Sequence, residues 1–194
     1  MPAWNGMDIV LPKNFDPYRA TVPGVSEWTD KVLWDTQSYA MAGTNGLDFF
    51  QTLPSNIQNG NLQQSGTVGN NALIVRSIGI NPKTHIANDI GILMQNAVLM
   101  FYIGSKLYWE GLADRFPPAG GVVGSFSTGT AASTVHTATN GIPDARAGYV
   151  LTRPLLIPPN LNFKVRLEFP TAPAISAQTA VTVLLKGDIG RFVQ

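Results

Sequence analysis

The strongest constraint on the fold is a strict alternation of polar and apolar side chains over residues 162–169, NFKVRLEF. Successive side chains of a β-strand point to opposite faces, so this pattern predicts a strand with one buried and one polar face. The apolar side chains expected in the core are Phe163, Val165, Leu167 and Phe169. The polar side chains expected to point outward are Lys164, Arg166 and Glu168.

Further strand signals recur along the chain, separated by turn-rich connectors of uneven length. They cover residues 47–52, 72–80, 97–103, 106–109, 148–157 and 180–185. Gly104 and Ser105 form a two-residue turn of the type that closes β-hairpins. Residues 85–95 have helical spacing instead, with Asn88 or Asp89 as the expected cap. Roughly seven or eight short strands with one helical turn predict an all-β sandwich or jelly roll.

The first 45 residues have a different character. Four prolines within the first 23 positions break any helix and deny ladder hydrogen bonds. Aromatic side chains nevertheless make the segment too apolar for a solvated tail, and we expect them to anchor a subunit interface. These residues are Trp4, Phe15, Tyr18, Trp28 and Trp34. We therefore predict an extended N-terminal arm at 1–45, lying on its own body or on a neighbour, and a β domain at 46–194.

The charge content excludes some functions and favours others. Only 13% of the residues are charged and the net charge is +1. Such a chain lacks the electrostatic footprint that binds phosphate backbones, so no sequence-specific nucleic-acid binding is expected. A poorly charged surface instead suits a subunit whose faces are covered by neighbours.

Two features bear on targeting and membranes. The N-terminus has neither a basic region nor a long apolar run, so no signal peptide is expected. The apolar residues 90–103 are fewer than the roughly 20 that a spanning helix needs. They predict a buried helix turn followed by a core strand.

Residues that could carry catalysis are sparse, so neither an enzyme nor a cofactor is expected. The two histidines, His85 and His136, are far apart and do not form the cluster that a metal-binding jelly roll needs. Residues 124–129 do not fit the nucleophile-elbow pattern and are expected to form a flexible loop within the long connection 111–141. Gly187 and Gly190 match a bare GxxG, without the helical context of a nucleic-acid-binding KH domain.

The C-terminal half carries a family resemblance. Residues 149–169 join an apolar run, a Pro-Pro-Asn turn and the alternating strand, and the ending VTVLLKGDIGRFVQ adds a last strand. Residues 89–110 look like a helix-and-hairpin insertion between early strands. Together these motifs cover about half of the chain, and they resemble the jelly-roll capsid proteins of tailless icosahedral bacteriophages.

The resemblance implies a single jelly roll, an eight-stranded antiparallel β-sandwich with one short helix. It also implies a structural virion protein, made in the host cytoplasm, that assembles into an icosahedral shell. The implied partners are other copies of the chain and other coat proteins. Contact with an internal viral membrane is a further implication. The family has no catalytic residues to transfer.

Two other functions compete with a capsid subunit. The first is a carbohydrate-binding β-sandwich, such as a lectin or a virion attachment domain, in which Trp4, Trp28, Trp34 and Trp109 would form a stacking platform. The second is a jelly-roll enzyme, for which the sequence offers no evident site. Tryptophan in such a chain more often fills a core or a subunit interface, which favours the capsid interpretation.

The balanced charge gives a first testable prediction. Filter-binding titrations at physiological salt should show weak, non-specific affinity for nucleic acid, because few phosphates can be neutralised. Tight binding that falls steeply with added salt would contradict this expectation.

Overall fold

The computed structural model describes residues 27–84, 86–116, 123–127, 135–139 and 148–191, the two short ranges at 123–127 and 135–139 by their backbone only. The strands are β1 Glu27–Tyr39, β2 Gly46–Phe49, β3 Ala72–Pro82, β4 Val98–Ile103, β5 Lys106–Leu112, β6 Val123–Ser127, β7 Val135–Thr139, β8 Tyr149–Ile157, β9 Phe163–Glu168 and β10 Thr179–Arg191. One α-helix, α1 Ala87–Gln95, and a 3-10 turn at Ala113–Arg115 complete the described elements.

Eight of these strands form two antiparallel four-stranded sheets. Sheet 1 has the order β1-β10-β3-β8, and sheet 2 has the order β2-β9-β4-β5. The chain crosses repeatedly from one sheet to the other, and the first strand ends up beside the last. Two interlocked Greek keys with this strand order make a jelly roll, so the predicted fold is confirmed.

Strands β6 and β7 form a separate two-stranded hairpin within the connection from β5 to β8. The sequence predicted a flexible loop at 124–129, whereas β6 runs from Val123 to Ser127. The prediction of a flexible loop is therefore wrong for residues 124–127, and residues 128 and 129 lie outside the described residues.

The core lies between the two sheets and follows the alternation seen in the sequence. Phe163, Val165 and Leu167 of β9 are buried, as is Phe169 just beyond it, and the side chains between them are half-buried. Val165 lies beside Phe49 on one neighbouring strand and beside Phe101 on the other. The predicted register of this strand is confirmed.

The N-terminal boundary of the sandwich differs from the prediction. Strand β1 occupies residues 27–39, inside the segment predicted to be an arm, and pairs with β10 along its whole length. Its inward positions include Leu33 and Tyr39, but also the buried carboxylate of Asp35. This acidic side chain interrupts the apolar alternation, so the strand was hidden in the sequence. The predicted boundary at 45 is too late, and residues 1–26 lie outside the described part.

The region between β3 and β5 agrees with the sequence. Residues 90–103 contain most of helix α1 followed by the core strand β4, as predicted. Gly104 has φ +60° in the turn that joins β4 to β5, a conformation that glycine adopts without strain. The expected cap is wrong, because Ile86 is the N-cap and makes no side-chain bond. Asp89 is buried instead and accepts hydrogen bonds from the backbone N–H and hydroxyl of Ser176.

Strand β10 is longer than the predicted strand. Its second half was not recognised in the sequence because it mixes polar residues and glycines. A bulge separates Lys186 from Gly187 where β10 pairs with β3. A Cβ atom at Gly187 would lie 1.8 Å from the carbonyl oxygen of Ile74, so only glycine permits this approach. The GxxG pattern thus has a structural role at Gly187, within a strand.

Substitution of Val165 tests the core register. Val165→Asp would bury an unpaired charge between the sheets and should destabilise the domain by more than about 4 kcal/mol. Lys164→Ser is the matched control, because that side chain is partly exposed and should contribute below about 1 kcal/mol. Chemical denaturation followed by circular dichroism measures both. Native stability of Val165→Asp would show that the register is wrong.

Truncation tests whether β1 belongs to the body. A chain that starts at Glu27 keeps the complete ladder between β1 and β10 and should retain its β-sheet spectrum and a cooperative thermal transition. A chain that starts at residue 46 loses β1 and exposes the edge of β10, and it should not fold. Equal folding of both truncated chains would contradict this assignment.

Candidate subunit interface

The edge strands on the two sides of the sandwich differ in length and in how far other residues cover them. On one side, the outer edge of β1 is partly paired by the loop that follows β2. Asn61 donates from its backbone to the carbonyl of Trp34, accepts from the Trp34 N–H at 3.0 Å, and donates from its amide to the carbonyl of Val32 at 2.7 Å. On the same side, the edge strand of sheet 2 is β2, which has only four residues. Short or covered edges of this kind resist strand pairing with other chains.

The other side is formed by the edge strands β5 and β8, and it exposes apolar side chains. Leu112 is 52% exposed and Val150 is 65% exposed, and Leu107 and Tyr108 are also exposed. We refer to Leu107, Tyr108, Leu112 and Val150 as the β5–β8 side. Leu107 and Leu112 face outward from sheet 2, whereas Val150 faces outward from sheet 1. Exposed apolar side chains on both edge strands make this side of the sandwich suited to contact with another molecule.

A bulge in β5 gives this side its shape. Trp109 lies opposite Phe101 and Leu107 lies opposite Tyr102, so Tyr108 is the extra residue on β5. Such a bulge changes the directions of neighbouring side chains. Trp109 packs against the core while Tyr108 stays exposed. Gly111 makes room for the indole, because a Cβ atom there would lie 2.3 Å from the Trp109 ring.

A second irregularity opens a cleft between β5 and β8. Val75 of β3 pairs with Leu155 and Ser77 pairs with Val150, so residues 151–154 of β8 lie opposite Arg76 alone. These residues line a cleft of about 620 Å³ together with Tyr108, Trp109, Tyr149 and Leu155. Beneath it, the ring centroids of Trp109, Phe116 and Tyr149 lie 5.0–5.5 Å apart. The cleft therefore has a rigid aromatic wall beside the exposed cation of Arg153.

The outer face of sheet 2 carries a network of paired charges. Arg166 binds Asp48 at 3.0 Å and also hydrogen-bonds Glu168, while the Lys164 ammonium lies 5.2 Å from the centre of the Tyr102 ring. The bond to Glu168 raises the pKa of Arg166, partial burial opposes this rise, and Asp48 adds to it. The polar side chains of β9 are therefore fixed by ion pairs and are not merely solvated.

A smaller cleft lies near the end of the sandwich where β1 begins and β10 ends. It has a volume of about 380 Å³ and an apolar floor that includes Leu33, Leu62 and Ile189. Its rim carries Lys31, Arg191 and several amide side chains of residues 61–71. This lining offers many hydrogen-bond donors, with two cations.

The predicted interface residues are only partly described. Trp4, Phe15 and Tyr18 lie outside the described residues. Trp28 and Trp34 lie on β1, both partly buried, and the Trp34 indole donates to the carbonyl of Ile57 at 3.0 Å. Their role in subunit contacts stays a prediction. The exposed residues of the β5–β8 side were not predicted as an interface, because edge position is a tertiary property. Of these residues, only Leu112 lies outside the predicted strands.

Of the two histidines considered as metal ligands, His85 lies outside the residues that the structure describes, and His136 is described only as a backbone position of β7. Within the described residues, no group of three or more His, Asp or Glu side chains could hold a metal ion. None of the described helices is long and apolar enough to span a membrane.

Comparison with known proteins adds no relative to this description. No protein-family model matches the chain, and no curated protein or solved structure matches it either.

Proposed function

We propose that the protein is a structural capsid subunit that assembles with copies of itself through the β5–β8 side. The observation that carries the proposal is the concentration of exposed apolar residues along the two edge strands of a jelly roll. Jelly rolls occur in viral capsid and lectin domains, and the low charge content supports a surface covered by neighbours.

The arrangement of charges around this side supports a contact between proteins. Lys106, Glu110 and Arg153 are exposed and lie on the same two strands as the apolar residues. Interfaces commonly combine an apolar centre with a polar rim that sets register. The β5–β8 side has both parts.

The backbone along these edges favours side-chain docking over open-ended strand addition. Pro154 has no N–H to donate within β8, and Tyr108 interrupts the ladder of β5 with a bulge. Proline and bulges at an edge prevent continuous sheet extension. Contacts made by side chains can close into a symmetric shell, whereas repeated strand addition produces fibres.

A carbohydrate-binding module is the second candidate, and the cleft between β5 and β8 favours it. Trp109 and Tyr149 supply aromatic surface and Arg153 and Thr152 supply polar groups in one concave site. Ligand sites combine apolar walls with a few placed polar groups in this way. The same residues would then bind a sugar ring instead of a neighbouring subunit.

Paired lysine substitutions test the proposal. Leu112→Lys places a charge on the β5–β8 side, and Ile57→Lys places the same charge on an exposed apolar residue of the loop beside β1. Because an unpaired charge is costly to bury in an interface, Leu112→Lys should remain folded and small. Wild type and Ile57→Lys should form large particles. Sedimentation velocity and electron microscopy measure the particle size, and circular dichroism checks folding.

Two outcomes would contradict the proposal. The first is a wild-type chain that stays monomeric at every concentration, and the second is unimpaired assembly of Leu112→Lys. A monomeric wild-type chain whose tryptophan fluorescence responds to oligosaccharides, with the response lost in Trp109→Ala, would establish the second candidate instead.

A further inference from the structure

The smaller cleft, near the start of β1 and the end of β10, carries its two cations at inward positions of sheet 1. Lys31 alternates with buried Leu33 on β1, and Arg191 alternates with buried Ile189 on β10. Alternate residues of a strand share a face, so both cations lie on the side that faces sheet 2. Inward positions of a sandwich normally hold apolar side chains. We refer to this cleft, lined by these four residues and the loop 61–71, as the amide cleft.

No acid among the described residues that line the amide cleft balances the two cations. Neither Lys31 nor Arg191 forms an ion pair with another residue that the structure describes. Glu27 lies opposite Arg191 in the ladder, but it is outside the cleft lining. Lys31 is half-buried and Arg191 is exposed. An anion in the cleft would therefore meet positive charge without displacing a carboxylate.

The loop 61–71 adds amide side chains that are available to a ligand. Gln63, Gln64 and Asn70 line the cleft and are exposed, and their side chains make no hydrogen bond with a described residue. A side-chain amide donates and accepts hydrogen bonds at the same time, and so does a hydroxyl group. Three free amides in one concave site therefore match a ligand with many hydroxyls.

The same loop is fixed to the body of the sandwich by backbone hydrogen bonds. The Gly66 N–H donates to the carbonyl of Phe50 at 2.8 Å, and the Gly66 carbonyl accepts from the Phe163 N–H at 2.8 Å. The Gly69 carbonyl accepts from the Asn160 N–H at 2.7 Å. Because the loop is already held in place, little backbone freedom would be lost when a ligand binds.

We propose that the amide cleft binds an acidic saccharide, a short chain of sugar rings that carry carboxylates. Lys31 and Arg191 attract the carboxylates, and the free amides bind the ring hydroxyls. The aliphatic floor, which includes Leu62, packs against the C–H groups of saturated rings. A volume of about 380 Å³ lies within the range of small-ligand sites.

The lining favours this ligand over other anions. No aromatic side chain lines the cleft, whereas proteins that bind single-stranded nucleic acid stack its bases on aromatic rings. An inorganic anion would use the two cations, but it has no donors for the oxygen atoms of the free amides. The cleft lies beside β1, the edge strand of sheet 1 opposite β8. The inference therefore goes beyond the proposed subunit contact, and the two sites would not compete.

Isothermal titration calorimetry with the full chain tests the proposal, with digalacturonate as the probe. Wild type should bind it, and Lys31→Gln and Arg191→Gln should each weaken the affinity at least about tenfold, because each removes a charge-assisted hydrogen bond. Asn70→Ala should weaken it about threefold, because a neutral hydrogen bond is lost. Lys83→Gln is the matched control, because it removes an exposed charge outside the cleft and should leave the affinity unchanged. Circular dichroism checks that each variant is folded.

Two further comparisons separate the ligand classes and the two proposals. The uncharged dimethyl ester of digalacturonate and sodium sulfate should each bind at least about tenfold more weakly than digalacturonate itself. Leu112→Lys should bind digalacturonate as wild type does, whether or not either chain assembles. The inference would be overturned by a wild-type chain that does not bind digalacturonate, by unchanged affinity in folded Lys31→Gln and Arg191→Gln, or by equal affinity for the ester or for sulfate.

Discussion

The ladder between β1 and β10 is the interaction on which the remaining structure depends. It joins the first and last strands of the sandwich over 13 residues, in register from Glu27 with Arg191 to Tyr39 with Thr179. Every other crossing of the jelly roll lies between these two strands in sequence. Bringing such distant segments together costs chain entropy before any contact offsets it. A long ladder whose inward side chains enter the shared core offsets that cost, and it fixes sheet 1 so that β3 can add to β10 and β8 can add to β3.

A single carboxylate connects this ladder to the second sheet. Asp35 points inward from β1 and accepts hydrogen bonds from the backbone N–H of Phe50 at 2.5 Å and from the Gln37 amide at 3.1 Å. Phe50 follows β2 and has φ +66°, a conformation that is costly for an aromatic residue. The bond to Asp35 holds the turn in place, and the Phe50 ring packs 5.5 Å from that of Phe163. Thus one polar contact joins the two sheets at this corner, and one aromatic contact holds Phe50 against β9 within sheet 2.

The sequence predicted those elements whose burial follows a simple rule. Strand β9 alternates strictly, and the β4–β5 hairpin is marked by a turn that contains Gly104, so both were found. Strand β1 was not found because Asp35 occupies an inward position that the pattern expects to be apolar. The second half of β10 was hidden because Gly187 is required by the closeness of β3 and Asp188 by its pairing with Arg76. The β5–β8 side depends on which strands become edges, and this is determined by the assembled topology.

The distribution of apolar surface limits how such a subunit could contact others. The β1 edge is occupied by Asn61, and the outer face of sheet 2 is held by the ion pairs of Arg166. On sheet 1, Ile74 is already buried, which removes the apolar centre of that face from any external contact. Of the exposed large apolar side chains on the described strands, all but Val32 therefore lie on β5 and β8. Under the proposed assembly, contacts would be directional, because one side would bind and the opposite edge would resist pairing. Directional contacts of this kind favour closed, symmetric particles over unlimited aggregation.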